Sequence, residues 1–232
     1  MLHVLRRHPL PVAAHFRHSL VLAYAFPREQ LAPLLLPGLV LDAHGDHALA
    51  AVAIVDTAAL RPRGLPASLG LDFVLCGYRV FVRVEGRESL RGLYVVRSAT
   101  DSRTMAAAGN LLTHYRWRHT RLAVHADGDR LEVDGDGVRV VARLGAHELP
   151  TGSPFASLEE ARRYAGPLPY TFDREPETGR ILAVRGVRSG WEPEPVAIES
   201  AHIELPFDGD ATLANAFHVA GVDYRWERGR LL

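Results

Sequence analysis

The sequence predicts a mainly β protein of the α+β class, with a few helices packed on its strands. Residues 73–85 alternate with the two-residue period of a half-buried strand. Residues 48–58 form an apolar run rich in β-branched side chains, which favour strands. Between residues 119 and 144, Asp-Gly pairs separate short apolar segments. Asp-Gly is a strong hairpin signal because glycine accepts the positive φ of a type I′ turn.

The remaining strands follow from the same signals in chain order. Residues 15–24 alternate loosely and the segment is closed by Pro27. Residues 93–99 follow the Glu85-Gly86 turn and are the companion strand of 73–85. The later segments with strand character are 119–126, 130–133, 138–144, 181–187, 195–205 and 222–226.

Three segments carry helix signals. Residues 27–36 begin with proline, which suits the first helical position, and stop at Pro37-Gly38. Residues 101–115 follow a cap candidate at Thr100 or Asp101 and place apolar side chains on one stripe. A capping box of the form Ser-Leu-Glu-Glu at 157–160 opens a short helix through residue 165.

The organisation of the chain predicts one domain over residues 1–232. No internal repeat or linker interrupts it, and the Pro- and Gly-rich residues 150–169 are expected to form a long surface excursion. We expect exposed strand edges between residues 150 and 191, and such edges favour pairing into a homodimer.

The composition excludes several function classes. The 232 residues include 27 arginines and no lysine, so a side-chain Schiff base cannot form. The formal net charge is zero, which predicts neither nucleic acid nor an anionic membrane as a partner. Cys76 is the single cysteine, so no intrachain disulfide is possible. No apolar segment near the N-terminus is long enough for a signal peptide or a membrane span, which predicts a cytoplasmic protein.

No cofactor or metal is predicted. The sequence contains no nucleophile elbow, phosphate loop or dinucleotide fingerprint. His44 and His47 share a turn with Asp42 and Asp46, but further ligands at metal spacing are missing. The aspartates at 127–136 do not fit a calcium loop and are assigned to hairpin turns.

The order of several motifs resembles a known family. The motifs are Pro-Arg-Glu-Gln-Leu-Ala-Pro-Leu-Leu-Leu-Pro-Gly-Leu-Val-Leu at 27–41, Arg-Pro-Arg-Gly-Leu-Pro at 61–66, Tyr-Arg-Val-Phe-Val-Arg at 78–83, Arg-Gly-Leu-Tyr at 91–94 and the capping box. From about residue 15 onward, the chain resembles the YqjF-like family of domains of unknown function, grouped with the acetoacetate decarboxylase-like superfamily. The resemblance implies a cone-like antiparallel β-barrel that encloses a small-molecule cavity, with helices packed outside.

The chain departs from the decarboxylase at the residues that carry its chemistry. In that enzyme a helix is followed by a lysine pair, one member of which forms the Schiff base. The similar stretch here is 108–118, and the lysine positions fall near Trp117 and Arg118. A carboxylate expected before Tyr78 is also missing, since Phe-Val-Leu-Cys occupies 73–76. The resemblance therefore does not imply acetoacetate decarboxylase activity.

Arg79 is the first candidate for ligand binding. If Tyr78 faces the outer helices, strand alternation turns Arg79 toward the lumen of the barrel. A guanidinium in that position needs a carboxylate partner or an anionic ligand, because an unpaired buried charge is costly. The sequence leaves both open: a small organic anion held bidentately, or an internal ion pair with Glu85, Asp72 or Asp101.

The cluster at residues 114–119 supplies the other candidates. His114 could act as a general base, and Asp101 is a second candidate catalytic residue. The residues assigned to ligand binding are Arg79, Arg97, Tyr94, Tyr115, Arg116 and Arg118. The alternative for the cluster is a solvated exit strand in which Trp117 covers a seam.

These observations predict a barrel that binds a small organic anion. If it catalyses a reaction, the chemistry would be that of a lysine-independent lyase, isomerase or hydratase. The alternative is a non-catalytic binding or interaction module in which the internal arginine is part of a structural ion pair. The sequence leaves the choice between enzyme and binding protein open.

Overall fold

Strands dominate the residues that the computed structural model describes, which are 2–146 and 148–232. The helices are α1 (Leu2–Leu5), α2 (Arg28–Leu31), α3 (Arg103–Leu112) and α4 (Leu158–Ala165), with 3₁₀ turns at Ala32–Leu34 and Ala67–Leu69. The strands are β1 (Val12–Pro27), β2 (Leu39–Leu41), β3 (His47–Pro62), β4 (Leu71–Val84), β5 (Arg87–Thr100), β6 (Trp117–His119), β7 (Leu122–Asp127), β8 (Arg130–Gly135), β9 (Val138–Leu144), β10 (Tyr170–Arg174), β11 (Ile181–Ser189), β12 (Glu194–Ile203), β13 (Thr212–Trp226) and β14 (Arg230–Leu231). The prediction of a mainly β protein with few helices is confirmed.

The longest strands pair into a ring. The order of neighbours is β11, β10, β5, β4, β3, β1 and β13, and β11 also pairs with β13, so the path returns to its start. Most pairs are antiparallel, as predicted. The pairs β10–β5 and β5–β6 are the parallel exceptions. Strands β6 and β10 each follow a long connection, which allows them to run parallel to β5.

A second layer of hairpins covers one side of the ring. Strands β7, β8, β9 and β12 are consecutive antiparallel neighbours. Gly128 and Gly137 have φ values of +56° and +73° in the Asp-Gly turns, as the hairpin signal predicts. The inward side chains of the hairpins, such as Leu131 and Val140, pack with Tyr78 and other outward side chains of the ring. This packing excludes water from the outer face of β4.

The helix caps differ from the predictions in detail. Helix α3 is capped by Ser102, whose hydroxyl accepts a hydrogen bond from the N–H of Met105 at 3.2 Å, and not by Thr100 or Asp101. The capping box at α4 is present, because Ser157 accepts from the N–H of Glu160 at 3.1 Å. The helix predicted over 27–36 shortens to one turn of α-helix and one of 3₁₀-helix.

The elements that were not predicted include α1, β2, β10, β14 and the 3₁₀ turn at Ala67–Leu69. Strand β10 lies between β5 and β11, and β11 is itself paired with β13 and β14. The strand edges expected to be exposed between residues 150 and 191 are therefore covered in the structure. In the described part of the chain, no helix combines the length and the apolar character that crossing a membrane requires.

Candidate functional site

An apolar cavity of about 300 Å³ lies within the ring. Strands β1, β3, β4, β5 and β13 contribute inward-facing side chains, and α3 contributes one side of the lining. Aliphatic and aromatic groups predominate, among them Val55, Phe73, Leu75, Phe81, Met105 and Trp117. A volume of this size is typical of small-ligand pockets, which are mostly apolar with a few placed polar groups.

Arg79 is one of the polar groups in this lining. It leaves β4 on the face opposite to Tyr78, as the alternation predicts. Its Nε is buried and has no hydrogen-bond partner among the described residues. Burial lowers the pKa of Arg79, and the groups that oppose this effect are Tyr224, Tyr115 and Cys76, with no carboxylate among the described residues. Because the pKa of a free guanidinium is above ~12, Arg79 remains a cation.

The three internal partners considered for Arg79 are occupied or exposed elsewhere. Asp72 accepts hydrogen bonds from Arg17 and from the N–H of Ala59. Asp101 accepts from the N–H of Val74 at 2.8 Å. Glu85 lies exposed at the turn between β4 and β5. The internal ion pair that the sequence left open is therefore not formed by these residues.

Gly77 makes room for the guanidinium. A Cβ placed on Gly77 would lie 3.2 Å from both Nε and Nη2 of Arg79, so the side chain folds back over this glycine. The cross-strand neighbours of Gly77 are Ala53 on β3 and Ser98 on β5, and both line the cavity. The charged group is therefore framed by small residues, which leave space beside it.

The polar groups of the lining also include the phenols of Tyr115 and Tyr224 and the guanidinium of Arg188. The Tyr115 hydroxyl shares a 2.7 Å hydrogen bond with Thr171, and burial raises the pKa of both Tyr115 and Tyr224. Both phenols are therefore protonated donors at neutral pH. Arg188 donates to the carbonyl of Pro167 at 3.3 Å and lies 4.7 Å from the centre of the Trp191 ring. Sequence reasoning missed Tyr224 and Arg188, although it placed Tyr224 in the strand segment 222–226.

Of the ligand-binding residues predicted from the sequence, Arg79 and Tyr115 line the cavity, and four others do not. Arg97 lies over the Tyr78 ring at 4.6 Å and donates to the carbonyl of Glu204. Tyr94 is buried in an outer cluster, and the Arg116 guanidinium lies 5.6 Å from its ring centre. Arg118 is exposed on β6.

A bulge explains the position of Arg97. Val95 pairs with Arg79 and lines the cavity, whereas Arg97 pairs with Tyr78 on the outer face. Val96 is the extra, unpaired residue of β5 between these two pairs. Because of this bulge, the side chains of β5 on its two sides alternate out of step, and Arg97 points to the outer face. Regular alternation from Val95 would have turned Arg97 inward.

Neither candidate catalytic residue reaches the cavity. Asp101 is exposed and holds the start of α3 through its bond to Val74. His114 lines a second void, too small for a water molecule, together with His8 and Asp173. His8, Tyr115 and Thr171 line both this void and the cavity. The roles predicted for His114 and Asp101 therefore have no direct support from the cavity geometry.

The second void gathers titratable groups with shifted pKa values. Burial, and then the nearby His114, lower the pKa of His8 to about 4. Burial raises the pKa of Asp173 to about 6. The Nε2 atoms of His8 and His114 and the Oδ2 atom of Asp173 are buried without partners among the described residues. The His8 ring also lies 4.9 Å from the Tyr115 ring, centre to centre.

A further buried histidine shares this behaviour. His218 lies in β13 with its Nε2 3.1 Å from Nδ1 of His18. Burial, and then the charge of His18, lower the pKa of His218 to about 4. No group of three or more histidine, cysteine or acidic side chains suited to a metal ion occurs within 2–146 or 148–232.

These shifts predict that the protein loses stability in mild acid. Between pH 6 and pH 4, unfolded histidines are protonated, whereas folded His8 and His218 are not. Asp173 acts in the opposite sense, because its folded carboxyl keeps a proton that the unfolded one releases. Through these three groups, the unfolded chain binds a net excess of about one proton, so their contribution lowers the free energy of unfolding by roughly 1 kcal/mol per pH unit on acidification.

Urea unfolding at pH 7, 6, 5 and 4.5 measures this slope. In a His218→Gln variant the slope should be shallower by about one proton, whereas His202→Gln, an exposed control, should leave it unchanged. A free energy of unfolding that is constant or rises on acidification would contradict the prediction.

The comparisons with known proteins agree with this architecture. The profile of the DUF2071 family, described as an uncharacterized conserved protein, matches residues 13–220. The structure of acetoacetate decarboxylase from Legionella pneumophila subsp. pneumophila str. Philadelphia 1 is 13% identical, with a TM-score of 0.66 over 97% of this chain and 88% of that chain. No curated protein matches the chain.

Two further solved structures share the fold. The enduracididine biosynthesis enzyme MppR, complexed with pyruvate, is 14% identical with a TM-score of 0.62, covering 96% of this chain and 90% of that chain. An acetoacetate decarboxylase-like enzyme from Sphingomonas wittichii RW1 is 13% identical with a TM-score of 0.63, covering 98% of this chain and 94% of that chain. At these identities the similarity shows the fold alone.

Proposed function

The chain belongs to the DUF2071 family and has the acetoacetate decarboxylase-like fold, and from this premise we propose that it binds a small organic anion in its cavity. Arg79 is the anchor for the anion. In this proposal the ring of strands is the wall of a cone-like barrel around the ligand. A small anion also suits a fold whose member MppR is described in complex with pyruvate.

The unpartnered guanidinium of Arg79 carries the proposal. A buried charge without a partner is destabilising, and the described residues supply no carboxylate to compensate it. A ligand carboxylate would provide the missing charge and accept two parallel hydrogen bonds from the guanidinium. Tyr115 and Tyr224 would donate further bonds to the same anion, since their phenols are protonated.

A second candidate function is proton transfer to a bound acid. The Tyr115 phenol is favoured as the acid because it lines the cavity near Arg79, and its pKa is affected by that arginine. Such a role would support a lysine-independent isomerase, hydratase or lyase. In the hydratase form, Tyr115 gives its proton to the α-carbon of a bound 2-enoic acid, water adds at the β-carbon, and the surplus proton of that water restores the phenol. Formation of the 3-hydroxy acid in D₂O, with deuterium at the α-carbon followed by NMR, tests it. Turnover should be lost in Tyr115→Phe, and its absence in the wild-type protein would exclude this function.

A calorimetric and thermal-shift screen tests anion binding. The probes are small carboxylates, 2-oxo acids and hydroxy acids, each compared with the neutral amide of the same skeleton. At about one hundred times its dissociation constant, a bound acid adds ~2.7 kcal/mol of stability. For a protein of this size that corresponds to a rise in Tm of roughly 5–10 °C. The amides, which lack the charge, should give no comparable rise.

The screen also includes Arg97→Gln as a control variant. Arg97 is an arginine of the neighbouring strand that does not line the cavity. Acid binding should be unchanged in this variant. Equal shifts with acids and amides, or no shift with any acid, would exclude the anion site.

A further inference from the structure

We propose that the ligand is a monocarboxylic acid with an extended apolar body, bound with its carboxylate deep in the cavity and its tail toward the opening. This inference rests on the proposed function and specifies the class of anion. It is carried by the order of side chains along the cavity and by the character of its rim.

The inward residues of β4 show how deep in the cavity the Arg79 guanidinium lies. On β4 the inward residues run from Leu71 through Phe73 and Leu75 to Gly77, where the guanidinium lies. With a rise of ~3.3 Å per residue, Leu71 and Gly77 are ~20 Å apart along the strand. Leu71 is exposed, whereas Phe81, beyond Arg79, is only 2% exposed. The charge therefore lies near the closed end.

The closed end is sealed by the excursion between β9 and β10. Phe81 and Leu93 pack in one cluster with Phe155 and with Ala161 and Ala165 of α4. These groups are apolar and buried, so they close this end of the cavity. A ligand would therefore reach Arg79 through the opening at the Leu71 end. A ligand that enters with its carboxylate first has its remaining atoms between Gly77 and Leu71.

The walls along this route are apolar. Val55, Leu75 and Met105 are buried in one cluster with the aromatic residues Phe73 and Trp117. Two other guanidiniums in the lining are already engaged by backbone carbonyls. Arg61 donates to Ala59 and Leu65, and Arg188 donates to Pro167. Along this wall, the described residues offer a ligand mainly apolar contact, and the donors of these two guanidiniums are directed at backbone carbonyls.

The rim of the cavity is apolar as well. The large hydrophobic side chains that are exposed in the described chain come from residues 4–10, 65–71 and 111. The same segments border the lining, to which Leu10, Leu71 and Leu112 contribute directly. The N–H of His8 donates to the carbonyl of Leu112 and the N–H of Arg63 donates to that of Pro11, which brings these segments together. Clustered exposed apolar side chains commonly mark a site of binding. Here they continue the apolar wall to the surface.

The volume limits the size of the acid. A cavity of ~150 Å³ holds benzene, so the volume of about 300 Å³ in this cavity accommodates roughly twelve non-hydrogen atoms. With three atoms in the carboxyl group, the apolar body has about nine carbons. Octanoate and 4-phenylbutanoate fall in this range, whereas acetate and pyruvate fill only a fraction of it.

A series of acids of increasing length tests the inference by calorimetry. The probes are acetate, butanoate, hexanoate and octanoate at fixed pH and ionic strength, together with pyruvate and 1-octanol. Each buried methylene contributes ~0.8 kcal/mol, so the affinity should increase about fourfold per methylene through octanoate. The alcohol, which lacks the charged group, should bind at least tenfold more weakly than octanoate.

The outcomes separate the two proposals. If acetate or pyruvate binds as tightly as octanoate, the apolar-acid inference is wrong and the anion site stands. If 1-octanol binds as tightly as octanoate, the cavity is apolar but the anion site is wrong. If no acid binds, both proposals fail.

A bulkier side chain in the cavity wall provides a second test. Val55 pairs with Leu75 between the guanidinium and the opening, and Val55→Phe should obstruct a tail there. The affinity for octanoate should fall at least tenfold more than the affinity for butanoate. Val74→Phe is the matched control, because Val74 lies on the neighbouring position of β4 and does not line the cavity. An unchanged ratio of the two affinities in Val55→Phe would contradict the proposed tail position.

Discussion

Arg79→Met is expected to weaken acid binding strongly and to make the ligand-free protein more stable. Removing one partner of a desolvated, hydrogen-bonded charge pair costs ~2–5 kcal/mol of binding free energy, so the affinity for hexanoate should fall at least thirtyfold. Methionine has a similar length and suits the apolar surroundings of the Arg79 side chain. The buried Nε without a partner is removed at the same time, which should raise the free energy of unfolding by ~1–3 kcal/mol.

Calorimetry with hexanoate and urea unfolding without ligand measure the two effects of Arg79→Met. The control is Arg97→Met, since Arg97 binds a carbonyl and a ring on the outer face. That variant should leave the affinity for hexanoate unchanged. If Arg79→Met instead lowers the stability and leaves acid binding intact, Arg79 has a structural role and the proposed anchor is wrong.

Asp42→Ala is expected to be the most destabilising of the substitutions considered. The Asp42 side chain is 1% exposed and accepts hydrogen bonds from Nε of Arg83 and Nε of Arg91, both at 2.6 Å. Removing the shared carboxylate leaves two half-buried guanidiniums without their common partner. Breaking a buried ion pair from one side costs ~3–5 kcal/mol. At ~2–4 °C per kcal/mol for a chain of this size, Tm should fall by at least about 6 °C.

Differential scanning calorimetry of Asp42→Ala checks this value. Asp134→Ala is the matched control, since Asp134 is an exposed partner of Arg139 at 3.4 Å. A surface pair of this kind contributes little, and the control should change the stability by less than ~1 kcal/mol. Equal losses in the two variants would show that Asp42 is no more important than a surface aspartate. A triple variant that also replaces Arg83 and Arg91 with methionine should recover part of the loss.

The sequence predicted the parts of the fold that depend on local patterns. Alternation along 73–85 separated Tyr78 from Arg79, and the observed strand retains that separation. Asp-Gly pairs located the hairpins at Gly128 and Gly137, and Ser157 located the start of α4. In each case a single stretch of chain contains the physical cause, which is a side-chain period, a φ preference or a capping hydroxyl.

The sequence could not predict which distant segments meet. Tyr224 reaches the cavity because β13 pairs with both β1 and β11, and no local signal specifies those partners. The exchange of faces at Val96 depends on a bulge in the β4–β5 pair. His8 reaches Tyr115 because its N–H binds Leu112 and its carbonyl binds Gly229. These contacts depend on tertiary pairing, so local patterns did not single out the residues involved.

The pairing of β1 with β13 has a consequence for synthesis of the protein. His15 on β1 lies opposite Asp223, 208 residues later in the chain. At ~5–20 residues per second, a ribosome needs ~10–40 s to produce the intervening chain. During that interval one edge of β1 has no native neighbour, and an unpaired edge can pair with another chain. Aggregation in cells should therefore depend on the translation rate, and chaperones that bind the nascent chain should reduce it.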